Sequence, residues 1–107
     1  MMYFDFEAGN KQYKLRLNTR NTVALEKALG CNPLSIFGAG DTIPTITTMV
    51  TILWASLQQY HHGISLNDAY DIFDAYLEEH AATDFIPVIL EVYKVSGIIR
   101  DGATEKN

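Results

Sequence analysis

The stretch Pro44–Tyr60, PTITTMVTILWASLQQY, carries no charged side chain and sets the plan of the whole chain. Ile46, Met49, Val50, Leu53, Trp54, Leu57 and Tyr60 recur in steps of three and four, the spacing of one helix face. A stripe of that width packs on two neighbouring elements. Pro44 suits a first helical turn, where its missing N–H loses no bond. Asp41 or Thr42 is placed to cap the helix and Gly63 to stop it. The threonines between Thr45 and Thr51 are weak helix formers, so tertiary burial must hold this element. Trp54, the largest apolar group present, reads as core.

Upstream, residues 2–7 and 12–17 alternate apolar and polar around Ala8-Gly9-Asn10-Lys11, which predicts a β-hairpin with a Gly-Asn turn. Phe4 and Phe6 share one strand face, and Tyr13, Leu15 and Leu17 share the facing one. Two strands are marginal alone and need helices beneath them. Asn18 or Thr19 can cap a helix running to about Leu29 and ending at Gly30, with Val23, Leu25, Glu26 and Leu29 shaping its faces. Asn32-Pro33 opens a short helical turn through Phe37, and Gly38–Asp41 reads as a link. Ser65-x-x-Asp68 is a capping box with Asp in place of Glu. The helix after it carries Leu66, Ala69, Tyr70, Phe73, Tyr76 and Leu77 on one face. Thr83 or Asp84 caps a last helix with Pro87 in its first turn and an end at Ser96-Gly97. The expected fold is therefore α+β and mainly α, an N-terminal β-hairpin packed on a small bundle of four main helices. Residues 1–100 make one domain and 101–107 a polar tail.

The sequence offers little that does chemistry. A net charge of -5 argues against nucleic acid as the partner. No apolar run is long enough to cross a bilayer and no leader is evident, which places the protein in the cytoplasm. His61 and His62 are adjacent, hence about 100° apart on a helix, and chelate poorly even with His80 nearby. Cys31 is a lone thiol without a local histidine. Gly38-x-Gly40 lacks the Lys-Ser/Thr of a phosphate loop. No catalytic, cofactor or metal residues are assigned, and no enzymatic activity is expected.

Two surface features stand out instead. Lys11, Lys14, Arg16, Arg20 and Lys27 all lie on the hairpin and first helix, and no Lys or Arg occurs from Ala28 to Tyr93. Asp71, Asp74 and Glu78 fall together on the predicted third main helix. They form either a solvated acidic face or a docking surface, with Lys14 and Arg16 as its counterpart on another copy. The last helix is apolar nearly all round, with Ile86, Val88, Ile89, Leu90, Val92, Tyr93 and Val95. It is either wedged centrally in the bundle or turns an outer face, through Val88, Val92 and Val95, towards another chain.

Several words along residues 3–98 resemble the tail assembly chaperones of long-tailed (siphovirus-type) phages and prophages of Gram-positive bacteria. They are Tyr13-Lys14-Leu15-Arg16-Leu17 with Thr19-x-x-Thr22, then Leu25-Glu26-Lys27-x-Leu29-Gly30. Leu53-Trp54-Ala55-Ser56-Leu57-Gln58-x-Tyr60, His62-Gly63-Ile64-Ser65 and Tyr93-x-x-Ser96-Gly97 follow. The resemblance implies a non-enzymatic protein of the host cytoplasm, absent from the finished virion. It would self-associate, keep the tape measure protein soluble and bring tail tube subunits to it. Recruitment of the tube protein can run through a longer, frameshifted form in that family. Glu105-Lys106-Asn107 is compatible with a slippery GAA-AAA-AAC. The alternative is another small phage protein, such as a tail completion or head–tail joining subunit.

Overall fold

A computed structural model describes residues 2–37 and 43–100. The expected link at Gly38–Asp41, the caps at Asp41 and Thr42 and the tail at 101–107 lie outside the described residues. The elements are β1 (Phe4–Ala8), β2 (Lys11–Leu15), α1 (Thr19–Leu29), a 3-10 turn (Pro33–Phe37), α2 (Ile46–Leu57), α3 (Leu66–Leu77), a second 3-10 turn (Ala82–Asp84) and α4 (Phe85–Val95). This is the α+β, mainly helical arrangement that the alternation and periodicity imply.

β1 and β2 pair antiparallel with Phe4 opposite Leu15, Phe6 opposite Tyr13 and Ala8 opposite Lys11. Gly9 (φ 59°) and Asn10 (φ 65°) are both left-handed, as a two-residue turn matched to strand twist requires. Gly9 has a second constraint, since a Cβ there would stand 3.0 Å from the Ala75 Cβ of α3. Phe6, Ala8, Leu15 and Leu17 are buried on the helices. The Phe6 ring lies 5.0 Å from Tyr76 and 5.7 Å from Phe85, centroid to centroid, tying β1 to α3 and α4.

α2 is the middle of the molecule, packed on α1, α3, α4 and β2. Its burial exceeds the predicted stripe. Thr51, Ile52, Ala55 and Ser56 are buried along with Met49, Val50, Leu53 and Leu57, because neighbours stand on most sides. The Thr51 hydroxyl satisfies itself by donating to the Thr47 carbonyl at 2.7 Å. Ile46, at the open end of the helix, is 46% exposed, and Trp54 is half-buried. Thr45 is the cap, its side chain accepting from the Thr48 N–H, and Pro44 precedes the helix instead of entering its first turn. The helix also ends before Gly63. The Gln58 side-chain amide donates to the Trp54 and Ile64 carbonyls at 2.9 and 2.8 Å and closes the turn there.

α1 is capped by Asn18 and stopped by left-handed Gly30. α3 opens on the reciprocal Ser65–Asp68 capping box. Its buried residues are Ala69, Phe73 and Tyr76, with Ile72 and Ala75 half-buried. Leu66, Tyr70 and Leu77, expected inside, are exposed. The hairpin turn packs on Ala75 and rotates the buried face away from them. The Asp84 carboxylate accepts from the Ala81 N–H at 2.9 Å, so it closes the 3-10 turn and leaves the start of α4 without a side-chain cap. α4 ends in a Schellman turn, with the Gly97 and Ile98 N–H groups donating to the Lys94 and Tyr93 carbonyls.

Candidate functional site

Two of the hairpin cations, Arg16 and Lys14, are engaged within the molecule. Arg16 Nη1 donates to the carbonyls of Val95 and Met2, both at 2.9 Å. The Arg16 N–H reaches the Ser56 carbonyl at 3.0 Å, and the Leu17 N–H reaches Ser96 Oγ at 2.8 Å. A guanidinium on the last carbonyls of α4 also favours the negative end of that helix. Lys14 Nζ sits 4.9 Å from the Tyr3 ring centroid, and Tyr3 in turn meets Tyr60 edge to face at 5.5 Å. The Lys14 N–H donates to His61 Nε2 at 2.9 Å. That bond requires a neutral imidazole, and the His61 pKa lies below its ordinary value through burial and then the Lys14 charge.

The last helix has no apolar outer face of the predicted kind. Val92 is 1% exposed and belongs to the core, so its expected place on a docking face is corrected. Val88 is half-buried against that core, and Val95 is half-buried. The covering comes from the hairpin, from Ile98 and Ile99, and from the Pro33–Phe37 turn. Tyr93, fully buried, donates its hydroxyl to the Pro33 carbonyl at 3.0 Å, and Phe37 packs edge-on to its ring. Burial holds the Tyr93 phenol well above its usual range. Leu90 alone on this helix is an exposed large apolar residue, at the margin, 36%.

Asp71, Asp74 and Glu78 are exposed on α3, as expected. What the wheel did not show is that Leu66, Tyr70 and Leu77 are exposed beside them. The breadth of the apolar arc on that helix, two overlapping i, i+4 series, was the available signal. On α1, Arg20 and Lys27 are exposed around Val23, which is 42% exposed. A shallow groove of ≈ 380 Å³ is lined there by Thr19, Arg20, Val23, Ala24 and Lys27. Leu34, in the Pro33–Phe37 turn, and Ile43 and Ile46, at the start of α2, are further exposed large apolar residues.

Groups with catalytic potential do not converge. His61 faces Lys14, and His62 lines a cleft of ≈ 390 Å³ with Asn18, Trp54 and Gln59. His80 stacks on Tyr76 at 4.4 Å and lies 3.9 Å from Asp84. Among the described residues no three His, Cys, Asp or Glu side chains gather into a metal site. No described helix is long and apolar enough to cross a membrane. The chain matches no family model, no curated protein and no solved structure.

Proposed function

We propose that this protein is a tail assembly chaperone of a long-tailed phage or prophage. It binds the tape measure protein, keeps that long apolar helical chain soluble, and helps bring tail tube subunits to it in the host cytoplasm. The observation that carries the reading is the exposure of large apolar side chains at the start of α2. Ile43 is 56% exposed and Ile46 46%, and no charged side chain occurs from Ile43 to Tyr60. A rod whose exposed side chains are mostly apolar offers little charge to match, and exposed apolar area without competing charges is the surface that suits it. The succession of sequence words from Tyr13 to Gly97 supports the same reading.

The test is co-expression with the tape measure protein of the same phage. The tape measure chain should move to the soluble fraction and co-purify with the full-length protein. Ile43→Ser combined with Ile46→Ser, both exposed, should lose this while keeping the native far-UV circular dichroism. A tape measure chain that stays insoluble beside wild-type protein overturns the proposal. Detection of the protein in purified virions would favour a structural subunit instead.

A further inference from the structure

The two edges of the hairpin differ. On β2 and just past it, the main-chain N–H groups of Lys14 and Arg16 reach away from β1, to His61 Nε2 at 2.9 Å and the Ser56 carbonyl at 3.0 Å. Across the two-residue Gly9-Asn10 turn, Ala8 and Lys11 face each other as a hydrogen-bonded pair. The alternation of an antiparallel ladder then makes Phe6 with Tyr13, and Phe4 with Leu15, the next bonded pairs. Asp5 and Glu7 fall between them, opposite Lys14 and Gln12. Their N–H and C=O groups therefore point away from β2, as the Lys14 N–H points away from β1. Among the described residues none of those four groups has a hydrogen-bond partner. The β2 edge is closed by the end of α2 and the turn after it, and the β1 edge is open.

The side chains on that edge select what can close it. Asp5 and Glu7 are exposed on the outer face of the sheet and form no ion pair among the described residues. Lys14, the cation opposite Asp5, is turned instead to the Tyr3 and Tyr60 rings, 4.9 and 5.9 Å from their centroids. A second copy that paired β1 with β1 would set these carboxylates against each other, and like charges directly opposite are destabilising. A strand with Lys or Arg at alternate positions brings the opposite sign to Asp5 and Glu7. Its intervening side chains fall on the face shared by buried Phe6 and half-buried Phe4, which favours apolar residues there. We propose that the β1 edge binds an extended segment of another protein in which basic and apolar residues alternate, as a third strand of the sheet. The main-chain groups of Asp5 and Glu7 hold the segment, and their carboxylates choose it. This site takes an extended chain and the tape measure reading requires a helical one, so each stands without the other.

Titration calorimetry of the full-length protein with three end-blocked synthetic peptides of about eight residues tests it. The first alternates lysine and valine, the second alternates glutamate and valine, and the third is the first with alternate main-chain nitrogens methylated. The plain lysine peptide should bind at least about tenfold more tightly than either of the others, and more weakly as salt rises. Asp5→Asn combined with Glu7→Gln, which disturbs no internal contact of either side chain, should bring the lysine and glutamate peptides to within about threefold of each other. By nuclear magnetic resonance, the Asp5 and Glu7 amides should exchange rapidly in the free protein and at least about tenfold more slowly in the complex. A lysine peptide that does not bind, a methylated peptide that binds as tightly as the plain one, a glutamate peptide that matches the lysine one on wild type, or amides already protected in the free protein would each overturn the proposal.

Discussion

The Arg16 guanidinium and the Val95 carbonyl are 2.9 Å apart, and this contact joins the hairpin to the end of the last helix. The same nitrogen also holds the Met2 carbonyl. Charge-assisted bonds to main-chain oxygens contribute about 1.5–3 kcal/mol each when part-buried. Arg16→Ala should therefore lower stability by about 2–3 kcal/mol, read as a fall in the urea midpoint with unchanged slope. Lys14→Ala, which removes an exposed cation from over an aromatic ring, should cost only about 0.5–1 kcal/mol.

Gly9 should be the least replaceable residue of the turn. Alanine there takes on a left-handed backbone at about 1 kcal/mol and meets the Ala75 Cβ at 3.0 Å. A loss of about 2 kcal/mol or more is expected for Gly9→Ala in thermal unfolding. Asn10→Gly, at a position that also has positive φ, should be nearly neutral.

His61 makes stability depend on pH. Its pKa in the folded protein lies below the ordinary 6.5, chiefly through burial and then Lys14. Between the folded value and 6.5 the unfolded chain binds more protons, so stability falls as pH drops through that window and is fully present above it. Protonation also removes the acceptor of the Lys14 N–H. Urea unfolding from about pH 7.5 to about pH 5.5 should show the decline, and His61→Gln, which cannot titrate, should flatten it.

Tyr93 should be silent in an alkaline titration of the native protein. Burial raises its phenol well above the usual range, so ultraviolet absorbance should show it ionising only as the fold is lost. Tyr93→Phe leaves the Pro33 carbonyl without its donor and should cost about 1–2 kcal/mol.

The parts of this fold that are readable in the sequence are those settled by near neighbours. The Gly9-Asn10 turn, the Asn18 cap with its Gly30 stop, and the Ser65–Asp68 box are each decided within a few residues. Arg16 and Val92 were misplaced for the opposite reason. Nothing near Arg16 in sequence announces Val95 as its partner, and nothing near Val92 announces the hairpin and flanking turns that cover α4. The faces of α3 were blurred because its apolar residues span more than one stripe, and only the position of the hairpin selects the buried one. The acidic half of the α3 surface was visible from charge alone. Its apolar half, Leu66, Tyr70 and Leu77, emerges only once the buried face of α3 is fixed by packing.

Arg16 and Val95 are separated by 79 residues, as are Leu17 and Ser96. A chain emerging from the ribosome can lay its hairpin on α2 and α3, through Ser56 and Tyr76, but lacks the Val95 and Ser96 partners until α4 has been synthesised. Loop closure over that distance comes before the reward, so these two bonds are the last of the hairpin's contacts to form. Any product cut short before Val95 would leave the Arg16 guanidinium without its helix-end carbonyl and part of β1 uncovered, an open invitation to proteases.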